Sequence, residues 1–350
     1  MQFDEWLKSR QSANFQERMR KRSRIMAEIR RYFENQDFLE VQTPSMVRYP
    51  GMEPNLSPIR AQVREQGELS REAWMVTSPE YSLKKILAAG YERIFELSRS
   101  FRDAEPWDGS HNPEFVMLEW YRANQDYRAL MADTERMVES VALTVLGSTK
   151  VSYQGKEIDV SAPWPRISVA EAMAEFADID LAEAMNDHGW FRERLREKGF
   201  VLPDDESFED MFYRVFLRDV EPRLGIDKPV FLYDYPASMA ALSRLKPEDK
   251  RYAERVEVYC GGIELANGFS ELTDEKEQRR RLEGEAETRR DAGMPPWEID
   301  ENFLQAVAKM PESAGIAFGV ERLVMLLTDA PTIREVLFFP ADTVFRSDGE

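Results

Sequence analysis

The chain is poor in cysteine, histidine and positive charge. Its single cysteine, Cys260, excludes an intramolecular disulfide and suits a reducing compartment. It has only two histidines, and no Ser/His/Asp or Cys/His spacing supports covalent catalysis. No apolar run approaches the ~18 residues that cross a bilayer. The opening MQFDEWLKSRQ lacks the apolar stretch of a signal peptide. A soluble, cytoplasmic protein is expected, with no membrane partner. A Walker-type GxxxxGK loop is also missing, so a nucleotide would have to be held another way. The formal net charge is −18, and only residues 18–31 are strongly basic, in a helical pattern. Proteins that grip nucleic acid over many phosphates present a basic surface. The balance therefore argues against a large RNA partner.

With 350 residues, 43% of them hydrophobic, the chain can bury a large core without metal or disulfide help. Helical spacing is expected at 15–35, 79–89, 127–146, 274–292 and 321–327, and strands at 38–43, 73–77, 229–235 and 315–320. Ser78-Pro79 reads as the N-cap and first residue of its helix, and Gln154-Gly155 as the turn of a small hairpin. Residues 45–72 read as irregular. The charges of 274–292 read as a solvated face. Residues 163–225 read as a helical insertion and 1–20 as an N-terminal arm. No repeat or linker divides the chain, so one domain over 1–350 is expected.

The stretch with most chemistry is 96–121, ELSRSFRDAEPWDGSHNPEFVMLEWY. It reads as two strands joined by a loop. The period of two puts Phe115, Met117, Glu119 and Tyr121 on one face and Val116, Leu118 and Trp120 on the other. Glu96, Ser98, Ser100 and Arg102 likewise oppose Phe95, Leu97 and Phe101. A merely solvated face rarely carries Phe, Met and Tyr between charges. The mixture suits a ligand with a flat ring, phosphates and a cationic group.

A second hairpin is expected over 252–269, turning at Gly261-Gly262. That register sets Tyr259 opposite Glu264 and makes Glu257 and Glu264 diagonal neighbours. Like charges so placed repel unless a cation lies between them. Two carboxylates suit Mg²⁺ when phosphates complete its shell. Asn267 and Glu271 differ in parity from Glu264 and join it only through a bulge, for which Gly268 is the candidate. Residues 315–322 bring small residues and an arginine to a strand–helix junction.

Taken together, these stretches resemble the class II aminoacyl-tRNA synthetases of the lysyl type. The segments that carry the resemblance are the helix and strand ending at Pro44, then Phe101-Arg102 through HNPEF to Tyr121, then GIAFGVERL at 315–323. SPEYSLK at 78–84 and IELANGFSEL at 263–272 add lysyl-type markers. The match is collinear from about residue 20 to residue 328. It implies an α+β fold, an antiparallel sheet flanked by helices, and a homodimer through the 20–44 segment. The first motif lies almost at the N-terminus, which leaves no room for the anticodon-binding barrel of the synthetases. That arrangement is similar to a truncated branch of the family, ligases that attach (R)-β-lysine to a lysine of translation elongation factor P. Position 317 agrees, being glycine in the synthetases and Ala317 here.

The resemblance also implies roles. Arg102 and Arg322 would be catalytic, Arg102 on the α-phosphate of ATP and Arg322 covering an adenine stacked on Phe115. Asp103, Glu105, His111, Asn112, Leu265 and Gly319 would complete the ATP site, with Glu257 and Glu264 on Mg²⁺. Ser78, Pro79, Glu80, Glu119, Tyr121, Asn267, Glu271 and Ala317 would line the amino-acid site. One local departure is Arg102-Asp103-Ala104-Glu105, a residue longer than the usual Arg-x-Glu. The expected reaction forms an aminoacyl-adenylate and passes the acyl group to elongation factor P, with no stable tRNA complex. The rivals are a tRNA-aminoacylating enzyme and a catalytically silent, amino-acid-binding regulator.

Overall fold

The computed structural model describes residues 3–53, 56–67, 70–107, 109–291, 293–294 and 296–345. Residues 1 and 2 of the expected arm and 292 of the expected helix lie outside them. The fold is α+β, as expected, around an eight-stranded sheet. Its strands run in the order Leu39–Glu40, Arg93–Phe101, Glu114–Ala123, Ser313–Gly319, Ile263–Ser270, Tyr252–Cys260, Val230–Pro236, Arg166–Ser168. The two outermost pairs are parallel and all the others antiparallel.

One face of this sheet is sealed by helices Ala13–Asn35, Tyr127–Leu146 and Val320–Leu327. Ser12 starts the first by accepting from the Phe15 amide (3.3 Å), and Asp126 starts the second by accepting from the Arg128 amide (2.9 Å). Gly147, at φ +75°, ends the second. Phe33 stacks on Phe95 at 5.0 Å and meets Trp120 at 5.0 Å. The alternation read from 115–121 therefore holds: Leu118 and Trp120 are buried in this core, which leaves their neighbours for the opposite face. A second core forms where helices Val169–Ala177, His188–Glu197 and Phe208–Val215 pack on the outer strands at Leu232 and Tyr259.

Four expectations need correction. The 45–72 stretch contributes Met46–Val47 and Arg60–Val63 to a three-stranded sheet with Arg71–Met75; strands of two to five residues among prolines leave little periodicity to read. The helix after Pro79 is Glu80–Ala88, and Pro79 is its N-cap with no side-chain cap bond. Helix Glu275–Asp291 is not simply solvated, because Gln278, Leu282, Ala286 and Arg289 are buried. The bulge in the second hairpin falls at Leu265, where the pairing passes from Tyr259↔Glu264 to Val258↔Ala266. Gly268 serves close packing instead: a Cβ there would stand 2.7 Å from Cβ of Ile316.

Candidate active site

The bulge resolves the parity difference of the second hairpin. Its extra residue, Leu265, turns into the core, and Glu257, Asn267, Ala317, Glu119 and Glu96 then lie in one row across five strands. A neighbouring row holds Phe269, Gly315 and Tyr121. These rows form the face opposite helices Ala13–Asn35, Tyr127–Leu146 and Val320–Leu327. Strand Glu114–Ala123 carries both ends of the site, with Phe115 at one and Tyr121 at the other. Six residues separate them, about 20 Å along a strand, a length that suits a nucleotide joined to an extended amino acid.

At the Tyr121 end the polar groups are buried and interlocked. Ser78 Oγ donates to Glu119 Oε1 (2.5 Å) and accepts from the Glu80 amide (3.1 Å), while the Tyr121 hydroxyl donates to Glu119 Oε2 (2.9 Å). Lys84, one turn after Glu80, places its ammonium 2.5 Å from Glu80 Oε1 and 2.6 Å from Glu271 Oε2. Glu271 Oε1 is buried with no partner. Gly315 makes room for this cluster, since a Cβ there would stand 2.1 Å from the Tyr121 ring and 2.6 Å from Glu271 Oε1. Burial, reinforced by Glu80, pushes Glu119 up to about 8. Burial also raises Glu271 to about 8 although Lys84 pulls the other way. Lys84 would be lowered by burial, but Glu271 and Glu80 outweigh that and raise it. Such carboxylates invite ammonium groups.

The Phe115 end is more open. Arg102 lies over the Phe115 ring, its guanidinium carbon 5.1 Å from the centroid, and its Nε is buried without a partner. Burial lowers its pKa against the pull of Glu105, Glu53 and Glu264. A half-buried guanidinium in this state is poised for an anion. Arg322 donates from Nη1 to the Glu264 carbonyl (2.6 Å), and its Nη2 lies 3.4 Å from His111 Nε2. Glu105 Oε2 lies 3.9 Å from the same His111 nitrogen. Within the loop Ala104 takes a φ of +60°, which costs a non-glycine residue about 1 kcal/mol. Asp103 Oδ1 supports that turn by accepting from the Ala104 amide (2.9 Å).

Three expected ATP-site residues turn to the scaffold. Asn112 spends its amide within the chain, donating to the Glu114 carbonyl (2.6 Å) and accepting from the Ala341 amide (2.9 Å). Leu265 is buried in the core, so only its backbone remains for a ligand. Gly319 is the N-cap of helix Val320–Leu327 and has no side chain to offer.

The two carboxylates expected to hold a metal differ in their surroundings. Glu257 already has its cation, because Arg255 Nη2 donates to Oε1 (2.6 Å). Its Oε2 accepts from the hydroxyls of Tyr259 (2.7 Å) and Tyr235. Among the described residues Glu264 has no such partners and approaches only the Arg322 guanidinium, at 3.7 Å. Among the described residues no three His, Cys, Asp or Glu side chains converge. This donor set suits a hard divalent ion that takes most of its oxygens from phosphates and one or two from carboxylates.

Sequence reasoning missed Lys84, Arg255, Glu53 and Glu285. Burial and Glu80 push Glu53 up, and burial and Glu53 push Glu285 up to about 8. The i, i+4 spacing of Glu80 and Lys84 was the one local signal available. The others meet only through the tertiary fold.

A family model for class II tRNA synthetases (D, K and N) matches residues 4–343. An elongation factor P–(R)-β-lysine ligase from Erwinia tasmaniensis is 40% identical over 326 residues, which cover 92% of this chain and 94% of that protein. A lysine–tRNA ligase from Nitrosomonas europaea is 36% identical over 320 residues, 91% of this chain and 62% of the relative.

Proposed function

Because this chain belongs to the family of class II tRNA synthetases (D, K and N), we propose that it is an ATP-dependent ligase that activates (R)-β-lysine and transfers it to a lysine of elongation factor P. The observation that carries this reading is the pairing, on one sheet face, of an arginine with a partnerless Nε and a set of buried carboxylates. The first suits a phosphate, the second a diamino acid.

In the proposed reaction a carboxylate oxygen of the amino acid attacks the α-phosphorus of ATP. The α–β phosphoanhydride bond breaks and pyrophosphate leaves. The ε-amine of the acceptor lysine then attacks the acyl carbon, AMP departs and the amine proton passes to solvent. The protein supplies position and charge rather than a nucleophile. Arg102 neutralises the α-phosphate, Phe115 and Arg322 sandwich the adenine, and Glu105 and His111 border it. Glu119, Tyr121, Glu271 and Glu80 receive the two amino groups, and Asn267 the region between. Glu264 and Glu257 would hold Mg²⁺, which would offset negative charge on the phosphates.

A second copy of the chain is a proposed partner, supported by exposed Leu39 and Met46 on edge strands of the eight-stranded and three-stranded sheets. No stable tRNA complex is proposed, on the strength of the −18 charge. A membrane partner is not proposed, and among the described residues no helix is long and apolar enough to cross one.

The test is pyrophosphate exchange that depends on the amino acid, followed by incubation of the loaded enzyme with elongation factor P or with tRNA. Exchange with β-lysine exceeding that with lysine, and label passing to the protein, is the expected result. Label passing to tRNA at a comparable rate would establish the tRNA ligase instead. No exchange with either amino acid would favour the silent regulator.

A further inference from the structure

Lys84 has no part in the proposed reaction, yet it is among the most deeply buried charges in the molecule, 1% exposed. A lysine ammonium is strongly hydrated and is almost never fully buried without partners. Here the partners are Glu80 and Glu271, two of the carboxylates assigned to the amino acid. They come from different elements, Glu80 from the first turn of helix Glu80–Ala88 and Glu271 from the residue directly after strand Ile263–Ser270. The ring of Phe303 closes the remaining side, 6.0 Å from the ammonium. Lys84 is thus a clamp between the two walls of the pocket.

Charge counting gives the clamp a second task. Glu80, Glu119 and Glu271 can carry at most three negative charges between them, and Lys84 offsets one. The remaining two match the two ammonium groups of a diamino acid whose carboxylate points towards the nucleotide. A third carboxylate facing no cation would take up a proton rather than stay ionised in this burial.

We infer that Lys84 is a positioning residue of the amino-acid site: its ammonium holds the Glu80 and Glu271 carboxylates at a fixed separation and offsets part of their charge, so that the pocket takes a diammonium ligand. This rests on the reading that the pocket receives such a ligand. The groups that face Glu271 are Lys84, Glu80 and the Tyr121 ring and hydroxyl. Among the described residues Lys84 is the one cation that faces it. Without it, ionisation of Glu271 would begin at higher pH and binding would follow.

The experiment uses the whole protein and two variants, Lys84→Met and Lys84→Arg, each checked by thermal unfolding. The probes are 1,5-diaminopentane and lysine, titrated calorimetrically from pH 6 to 9.5, with pyrophosphate exchange measured in parallel. Lys84→Met is expected to weaken binding of both probes by about 100-fold at pH 7, with the loss shrinking as the pH rises, while KM for ATP stays unchanged. Lys84→Arg keeps the charge, so its onset pH stays at the parental value. Its broader head spreads the two carboxylates and weakens binding equally at every pH.

Parental affinity and pH profile in Lys84→Met would overturn the inference. If that variant does not fold, Lys84→Arg decides alone, and parental affinity there overturns it too. So would a parent that binds neither probe. A parent that binds the diamine in the expected way but catalyses no exchange defeats the proposed function and leaves the clamp standing.

Discussion

At the Tyr121 end of the site the polar groups largely satisfy one another, whereas at the Phe115 end they wait for something from outside. Glu119 has donors on both oxygens, and Lys84 ties Glu80 to Glu271. Arg102, by contrast, makes no side-chain hydrogen bond among the described residues and keeps a buried, partnerless Nε. The difference follows from what holds each end. The first is built on a strand, a helix and a strand terminus packed around Gly315. The second is half loop, 102–113, anchored by Asn112 to the Ala341 amide and by the Gly109 carbonyl to the Ile333 amide. A rigid, prebuilt end selects the amino acid. A looser end lets the phosphates of a nucleotide complete it, consistent with general preorganisation arguments.

Mutating one residue at each end breaks the comparison most sharply. Arg102→Ala should lower kcat for adenylate formation by about 10²–10³-fold, yet change unfolding stability by no more than about 1 kcal/mol. Glu271→Ala should abolish amino-acid binding and also cost about 3–5 kcal/mol of stability, because Lys84 loses half of its buried ion pair. Pyrophosphate exchange and denaturant unfolding of both variants check this. Equal stability losses would erase the distinction between a prebuilt and a ligand-completed end.

A smaller effect separates the ends by pH. Glu119 and Glu271 are both raised to about 8, so each is largely neutral at pH 6 and ionised above 8. An ammonium binds the ionised form. The KM for the amino acid should therefore fall as pH rises from 6 to 8, by up to about tenfold per pH unit for each proton displaced. For stability the sign is opposite. Raised carboxylates bind protons that the unfolded chain has already released, so stability of the free protein declines between about pH 4.5 and 8. Bound amino acid should restore it most near pH 8. The KM for ATP should lack this dependence, since Arg102 stays charged throughout. Initial rates across this range, with each substrate limiting in turn, make the measurement.

How far the sequence revealed these two ends also differs. The central strand was legible, because Phe115, Glu119 and Tyr121 alternate with Leu118 and Trp120, which need a core. The turn at Gly261-Gly262 was legible too, since both glycines adopt positive φ, +61° and +78°. Lys84 was not, because helix Glu80–Ala88 also carries buried Leu83 and Leu87, and a lysine between them looks like a solvated neighbour. Glu53 and Glu285 lie in a proline-rich stretch and a charge-dense helix, and only the tertiary fold brings both near Glu80. The bulge at Leu265 carries no glycine to announce it. Register there is decided by Asn267 seating opposite Ala317 and by Gly268 fitting beneath Ile316. Local patterns revealed the strands, while the charge balance of the pocket arises from contacts distant in sequence.

The smallest effect concerns selection within the prebuilt end. Ala317 stands in the row between Asn267 and Glu119, so its methyl enters the space between groups assigned to the amino acid. The lysyl-type synthetases carry glycine at this position. An added methyl in a packed pocket takes volume that the ligand cannot share, and such overpacking costs about 1–3 kcal/mol. With the amino group on the β-carbon rather than the α-carbon that clash is relieved, while Glu80 still supplies its partner. Ala317→Gly should therefore shift selectivity from β-lysine towards α-lysine by about thirtyfold in the ratio of kcat/KM values, the middle of that range. Loss of a side chain within a strand costs only about 0.5–1 kcal/mol, so the variant should stay folded at assay temperature. The check is adenylate formation with each isomer in both proteins. An unchanged ratio would mean that the Ala317 methyl only packs against its neighbouring strands, and that discrimination lies with Glu80 and the side chains around it.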